Sequence, residues 1–210
     1  MKVMILVAHV DDEVLGCGGY VPKLIKEGHE VHTVFLTDGK LHPPKEIDNK
    51  PDAIKASKEL GIKEEHLHFI GLLNQEFDKY SIIEINKKIE ALNLNPDMVI
   101  TNSPDDVNND HKIAYKCASI IARPIKKQIK FLTCEVLSSV EWGRKPFNSN
   151  YYVNIKDTLD TKLKAMSMYK NELREFPHPR SLEGIKIKAK QRGMEVGLEA
   201  AEAYNIIRWF

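Results

Sequence analysis

The sequence carries only three cysteines and two tryptophans in 210 residues, no long apolar run and almost no excess of charge. Each shortage excludes something. Cys17, Cys117 and Cys134 are odd in number and form no Cys-x-x-Cys. That argues against a disulfide framework or a thiolate zinc knuckle, and leaves buried small hydrophobes in a reducing compartment. No stretch approaches the roughly 18 consecutive apolar residues of a membrane span. The opening MKVMILVAHVDDE meets carboxylates too early for a secretory leader, so a cytoplasmic protein is expected. Lys and Arg number 31 against 30 Asp and Glu, which gives no basic field for nucleic acid. No repeat, low-complexity tract or linker interrupts the chain, and its length suits one full core. Residues 1–210 are therefore expected to form a single domain. Composition leaves the oligomeric state open, and a homo-oligomer is allowed.

Residues 2–8, KVMILVA, form a continuous apolar run of strand length, as expected of a strand covered on both faces. A helix over residues 12–26 follows, then a strand in EVHTVFLTDG. The alternation continues with a helix over 51–60, the strand HLHFIGL, a helix over 80–92 and the strand DMVITNS. Then come a helix over 111–122, the strands IKFLTCEVL and NYYVNI, and two charged amphipathic helices from about residue 157. This order predicts a Rossmann-like three-layer α/β fold with a mostly parallel sheet. Ligands in such sheets bind outside the carboxyl ends of the strands.

That rule selects two clusters. His9, Asp11, Asp12 and Glu13 directly follow the first strand. Asp105, Asp106, Asn108, Asp110 and His111 follow the strand DMVITNS. An imidazole and three carboxylates beside a buried strand are costly to desolvate unless paired or bound to a cation. His and Asp from one cluster with His from the other give two nitrogens and one oxygen, a three-ligand zinc set with a position open for water. Read singly, each cluster also fits a plainer role. A strand-end histidine is commonly just hydrogen-bonded, and an acidic pair at a helix start commonly caps it.

AHVDDE, residues 8–13, resembles the AHPDDE signature of the PIG-L/LmbE-like zinc-dependent N-deacetylases, with Val10 in place of the usual proline. DVNNDHKIAY, from Asp106, resembles the second family motif, which ends in Asp-His. HPRSLEGIKIKAKQRGMEVGLEAAEAYNIIRW resembles the tail of many bacterial members, so the likeness runs nearly end to end. The resemblance implies a zinc ion (Zn2+) held by His9, Asp12 and His111, with Asp11 as general base. It implies removal of an acetyl group from an N-acetylated amino sugar or its conjugate. An amidase acting on a bulkier conjugate fits the same motifs.

Two departures from the family pattern matter. Asn108 stands where several members carry a histidine; it can donate to an oxyanion but cannot deliver a proton. The acid role then falls to Asp11 after protonation or to His178. Members often grip substrate with an arginine before the Leu-Gly that ends a helix, where this chain offers only Lys50, a point charge without a planar fork. Asp38 and Asp110 are the remaining expected contacts, as substrate or orienting groups or as plain turn and cap residues. Arg180 and Ser181 fit a helix cap as well as a site contact. Trp142, near Glu141 and Arg144, suits packing more than sugar stacking. His29, His32, His42, His66 and His68 have no evident partner.

Two other classes fit less well. A phospho-accepting receiver needs a carboxylate after the third strand, where the chain reads Phe69-Ile70-Gly71. A non-catalytic nucleotide-binding module needs glycines in the first turn; Gly16, Gly18 and Gly19 come too late, behind carboxylates that repel phosphate.

Overall fold

Alternate side chains of β1 (Lys2–Val7) sort the molecule into layers. The computed structural model describes residues 1–41, 47–143 and 145–210, so His42 and Arg144 lie outside the described residues. Val3, Ile5 and Val7 enter one apolar cluster; Met4, Leu6 and the following Ala8 enter another. A strand buried on both faces has no polar alternation, hence the continuous apolar run. The first cluster is completed by α1 (Asp12–Cys17), α2 (Tyr20–Lys26), α3 (Lys50–Glu59), α6 (Leu159–Met166) and α7 (Leu182–Met194). The second is completed by α4 (Ile82–Glu90) and α5 (Asn109–Ile121). Cys17, Cys117 and Cys134 are all buried and unpaired. Among the described residues no helix is long and apolar enough to cross a membrane.

β2 (Glu30–Thr37), β5 (Leu67–Leu72), β6 (Met98–Asn102), β7 (Lys130–Cys134), β8 (Tyr151–Asn154) and β9 (Ala201–Arg208) join β1 in a seven-stranded sheet. β3 (Lys40–Leu41) and β4 (Ile47–Asp48) form a separate antiparallel pair. The sheet order is β5-β2-β1-β6-β7-β9-β8, parallel from β5 to β7. The chain runs outward from β1 through β2 to β5, then returns across β1 to β6. The reversal opens a crevice at the carboxyl ends of β1 and β6, the position where such sheets bind ligands.

Two expectations need correction. The helix over 12–26 is broken at Gly18–Gly19 into α1 and α2. A Cβ on Gly19 would lie 2.6 Å from the Ile155 side chain, so the break lets two elements approach closely. The amides of Gly19 and Tyr20 donate to the Glu202 carboxylate at 2.7 and 2.8 Å, and Lys162 pairs with the same carboxylate at 2.6 Å. Glu202 belongs to β9, the second correction: residues 201–208 form a strand antiparallel to both β7 and β8. Its opening AEA has helix-forming composition, and pairing on both sides overrides that preference.

Candidate functional site

The crevice between β1 and β6 brings the two polar clusters into contact. His9 leaves β1, and Asp11 follows with φ 96°, a left-handed conformation costly for a residue with a Cβ. Glu13 supports that turn: its carboxylate accepts the Asp11 N–H at 3.0 Å and the Tyr169 hydroxyl. Asp12, the first residue of α1, is fully buried; its Oδ2 accepts from the His9 amide at 3.0 Å and from Asn102 Nδ2 at 3.1 Å.

Three ligand atoms converge here. Nδ1 of His9 lies 3.2 Å from Nε2 of His111, and these nitrogens lie 3.8 and 3.4 Å from Asp12 Oδ2. The outer nitrogens each meet a carboxylate. His9 Nε2 is 2.9 Å from Asp110 Oδ2, and His111 Nδ1 is 2.8 Å from Asp106 Oδ2. A carboxylate accepts, so each outer nitrogen carries the N–H and each inner one presents a lone pair. Two lone pairs and a carboxylate then face one another, and the second Asp12 oxygen, Oδ1, is buried with no hydrogen-bond partner. Such a donor set fits a divalent cation, and two imidazoles with one carboxylate suit zinc.

The charges obey the same demand. Burial works against ionised Asp12, but the His111 and His9 imidazoles outweigh it and hold the carboxyl below its usual range. Burial also opposes a charged His111, yet Asp12 and Asp106 raise its pKa. Asp11 behaves differently: burial pushes its carboxyl well up, opposed by Arg180, whose Nη1 lies 3.0 Å from Oδ2. Burial raises Glu13 to about 7.

A cavity of about 160 Å³ opens beside these groups, lined by His9, Asp11, Asn49, Gln75, Asn108 and Arg180 among others. A larger cavity, about 510 Å³, lies at the other end of the sheet; Glu90 is its only carboxylate and it contains no histidine, so the smaller one has the chemistry. Asn108 caps α5, accepting the Asp110 amide on Oδ1 and leaving its amide N–H groups free to donate into the cavity. Asp110 is not the cap: it holds His9 and accepts from the Gln75 and Phe77 amides at 2.7 and 3.2 Å.

The remaining expected residues fall elsewhere. Asp38 closes a turn by accepting the Lys40 amide at 2.9 Å, and neither it nor Lys50 lines the cavity. The Lys50 ammonium lies 4.5 Å above the Phe69 ring, while its neighbour Asn49 faces the cavity. His178 is also outside the lining; its Nδ1 accepts the Arg180 amide, and its ring meets Trp142 edge-on at 5.3 Å. Trp142 is 63% exposed and so is not a core packing residue. Ser181 caps α7 through its hydroxyl, whereas Arg180 reaches Asp11 and, at 3.5 Å, Glu172. Sequence reading missed Asp106 and Glu172 as partners. The DVNND spacing held a signal for Asp106; nothing local marked Glu172.

The sequence profile of the family described as PIG-L, GlcNAc-PI de-N-acetylase, matches residues 4–122. The diacetylchitobiose deacetylase of Thermococcus kodakarensis is 25% identical over 195 residues, covering 83% of this chain and 71% of its own length. Among solved structures, the N,N'-diacetylchitobiose deacetylase of Pyrococcus horikoshii superposes with a TM-score of 0.79 at 20% identity. The match covers 98% of this chain and 83% of that one. The 4-carboxy-2-hydroxymuconate hydratase GalB of Pseudomonas putida KT2440 superposes with a TM-score of 0.74 at 19% identity, covering 100% and 98%. Deacetylase and hydratase share this fold, so the chemistry has to be argued from the site.

Proposed function

The chain belongs to the PIG-L (GlcNAc-PI de-N-acetylase) family, and on that premise we propose that it is a zinc-dependent hydrolase removing acetate from an N-acetylated amino sugar or its conjugate. One observation carries the reading: a ring nitrogen each of His9 and His111 and the half-satisfied Asp12 carboxylate converge beside the buried carboxyl of Asp11.

His9, Asp12 and His111 would hold the ion, which when bound acidifies water and polarises an amide carbonyl. Asp11 accepts a proton from the attacking water as the carbon–oxygen bond forms. Asn108 donates its amide N–H to the oxygen that gains charge. Protonated Asp11 then returns the proton to the departing nitrogen as the carbon–nitrogen bond breaks, giving acetate and a free amine. Burial suits Asp11 to both steps, because it stabilises the protonated form while Arg180 keeps the ionised form accessible. His178 has no place in this scheme, since the cavity lining does not include it.

Substrate contact is assigned to Asn49, Gln75 and Arg180, with Asp38 and Lys50 outside the cavity. The amides of Asn49 and Gln75 suit sugar hydroxyls. Arg180 comes from the tail, far beyond the residues of the first two motifs. That contribution supports reading 1–210 as one functional domain.

Acetate release from N-acetylglucosamine, its short oligomers and its conjugates tests the proposal. Metal-dependent release from at least one of them is expected and should vanish in Asp11→Asn. No release from any, with the metal bound, would sink it.

A further inference from the structure

β2 and β5 assemble another group of titratable side chains at the opposite end of the sheet. Glu30 and His32 are alternate residues of β2 and so share one face. His66 immediately precedes β5, and His68 lies in register with Val34 on the neighbouring strand. We propose that Glu30, His32 and His66 form a second binding site for a divalent transition-metal ion of the zinc type.

One carboxylate oxygen and one ring nitrogen from each histidine lie within 4.8 Å of one another. Glu30 Oε1 is 2.5 Å from His32 Nε2. His66 Nδ1 lies 3.2 Å from the Val31 carbonyl, to which it can only donate, so its Nε2 keeps a free lone pair. His32 Nδ1 is 3.1 Å from His68 Nε2. Metal binding moves the single His32 proton from Nε2 to Nδ1 and the His68 proton from Nε2 to Nδ1, so that His68 Nε2 now accepts and His32 Nε2 is free for coordination. His68 then orients its neighbour as carboxylates do at other metal-bound imidazoles.

Two features oppose binding. The rings of His32 and His66 are stacked, centroids 4.1 Å apart, whereas coordination uses in-plane lone pairs. His66 is only half-buried and can turn about its Cβ–Cγ bond, giving up its Nδ1 contact with the Val31 carbonyl as Nε2 swings toward the ion. Lys2 Nζ, 3.3 Å from Glu30, competes for the carboxylate, but a single half-buried ammonium is a weak rival to a divalent ion. Two imidazoles and a carboxylate favour zinc, copper or nickel over magnesium or calcium. The ion would tie down β5, which pairs on one side only. At about 3.3 Å per strand residue this site lies roughly 20 Å from His9, so the two bind independently.

Chelator-stripped protein titrated with Zn2+ alone, followed by gel filtration and elemental analysis, tests the site. Wild type should retain two equivalents, His111→Ala one, and His66→Ala one. The double variant His66→Ala, His111→Ala should retain none. Because His66 is half-buried, its variant should keep the wild-type circular dichroism spectrum. An equivalent retained by the double variant, or a His66→Ala variant that retains as much zinc as wild type, overturns the proposal. Failure of the site at His111 looks different: wild type and His111→Ala would each retain one equivalent, and His66→Ala none.

Discussion

Asp106 accepts the Nδ1 proton of His111 at 2.8 Å, and that contact turns the other imidazole nitrogen toward Asp12. Asp110 does the same for His9. These carboxylates set both tautomers, so the proposed ligand set is organised before an ion arrives. Losing such a partner typically costs ten- to a hundredfold in metal affinity.

Asp106→Ala should therefore lower zinc affinity at the His111 site about ten- to a hundredfold, measured by competition with a chelator. Asp106→Asn keeps an acceptor and should fall between this variant and wild type. Unchanged affinity in Asp106→Ala would mean that the tautomer is set elsewhere.

Asp11 neighbours the ligands without being one of the three convergent donors. Asp11→Asn should keep its zinc while acetate release falls by roughly two to four orders of magnitude. Loss of metal along with activity would show that Asp11 and Asp12 have exchanged roles.

Arg180 holds down the pKa of Asp11, which burial raises. Removing the cation makes Asp11 harder to ionise, and the proposed base must be ionised to act. In Arg180→Met the acidic limb of kcat/KM should move to higher pH by about one unit or more. His178→Ala should leave both limbs in place. A basic limb that disappears in His178→Ala would restore that residue as the acid.

Burial raises Glu13 from 4.5 to about 7 in the fold. A raised carboxyl favours the protonated folded state, so its stability contribution is complete below pH 4.5 and lost as pH rises to about 7. Chelator-treated protein should lose about 2–3 kcal/mol across that window by urea unfolding. Glu13→Gln can still accept from the Asp11 amide and face the Tyr169 hydroxyl, and should show a shallower slope, the remainder coming from Asp11, which burial also raises. An identical slope in the variant would assign the titration to another group.

Much of this protein is local in its sequence. The apolar run of β1 and the polar residues after β1 and β6 each follow from a few neighbouring residues. The rule that parallel sheets bind at their carboxyl ends then places His9, Asp12 and His111 on one rim. Tertiary structure alone decided what those residues touch. Arg180, which the HPRS segment offered equally as a cap or a site contact, reaches Asp11 across 169 positions, and Tyr169 reaches Glu13 across 156 with no periodicity or motif to announce it. β9 depends on partners on both sides, because its composition opens like a helix. His32 and His66 gain meaning only when β2 and β5 lie side by side. Hydrophobic pattern and strand-end chemistry are properties of short segments, while the tautomer of an imidazole or the charge of a buried carboxyl is set by whatever the fold places against it.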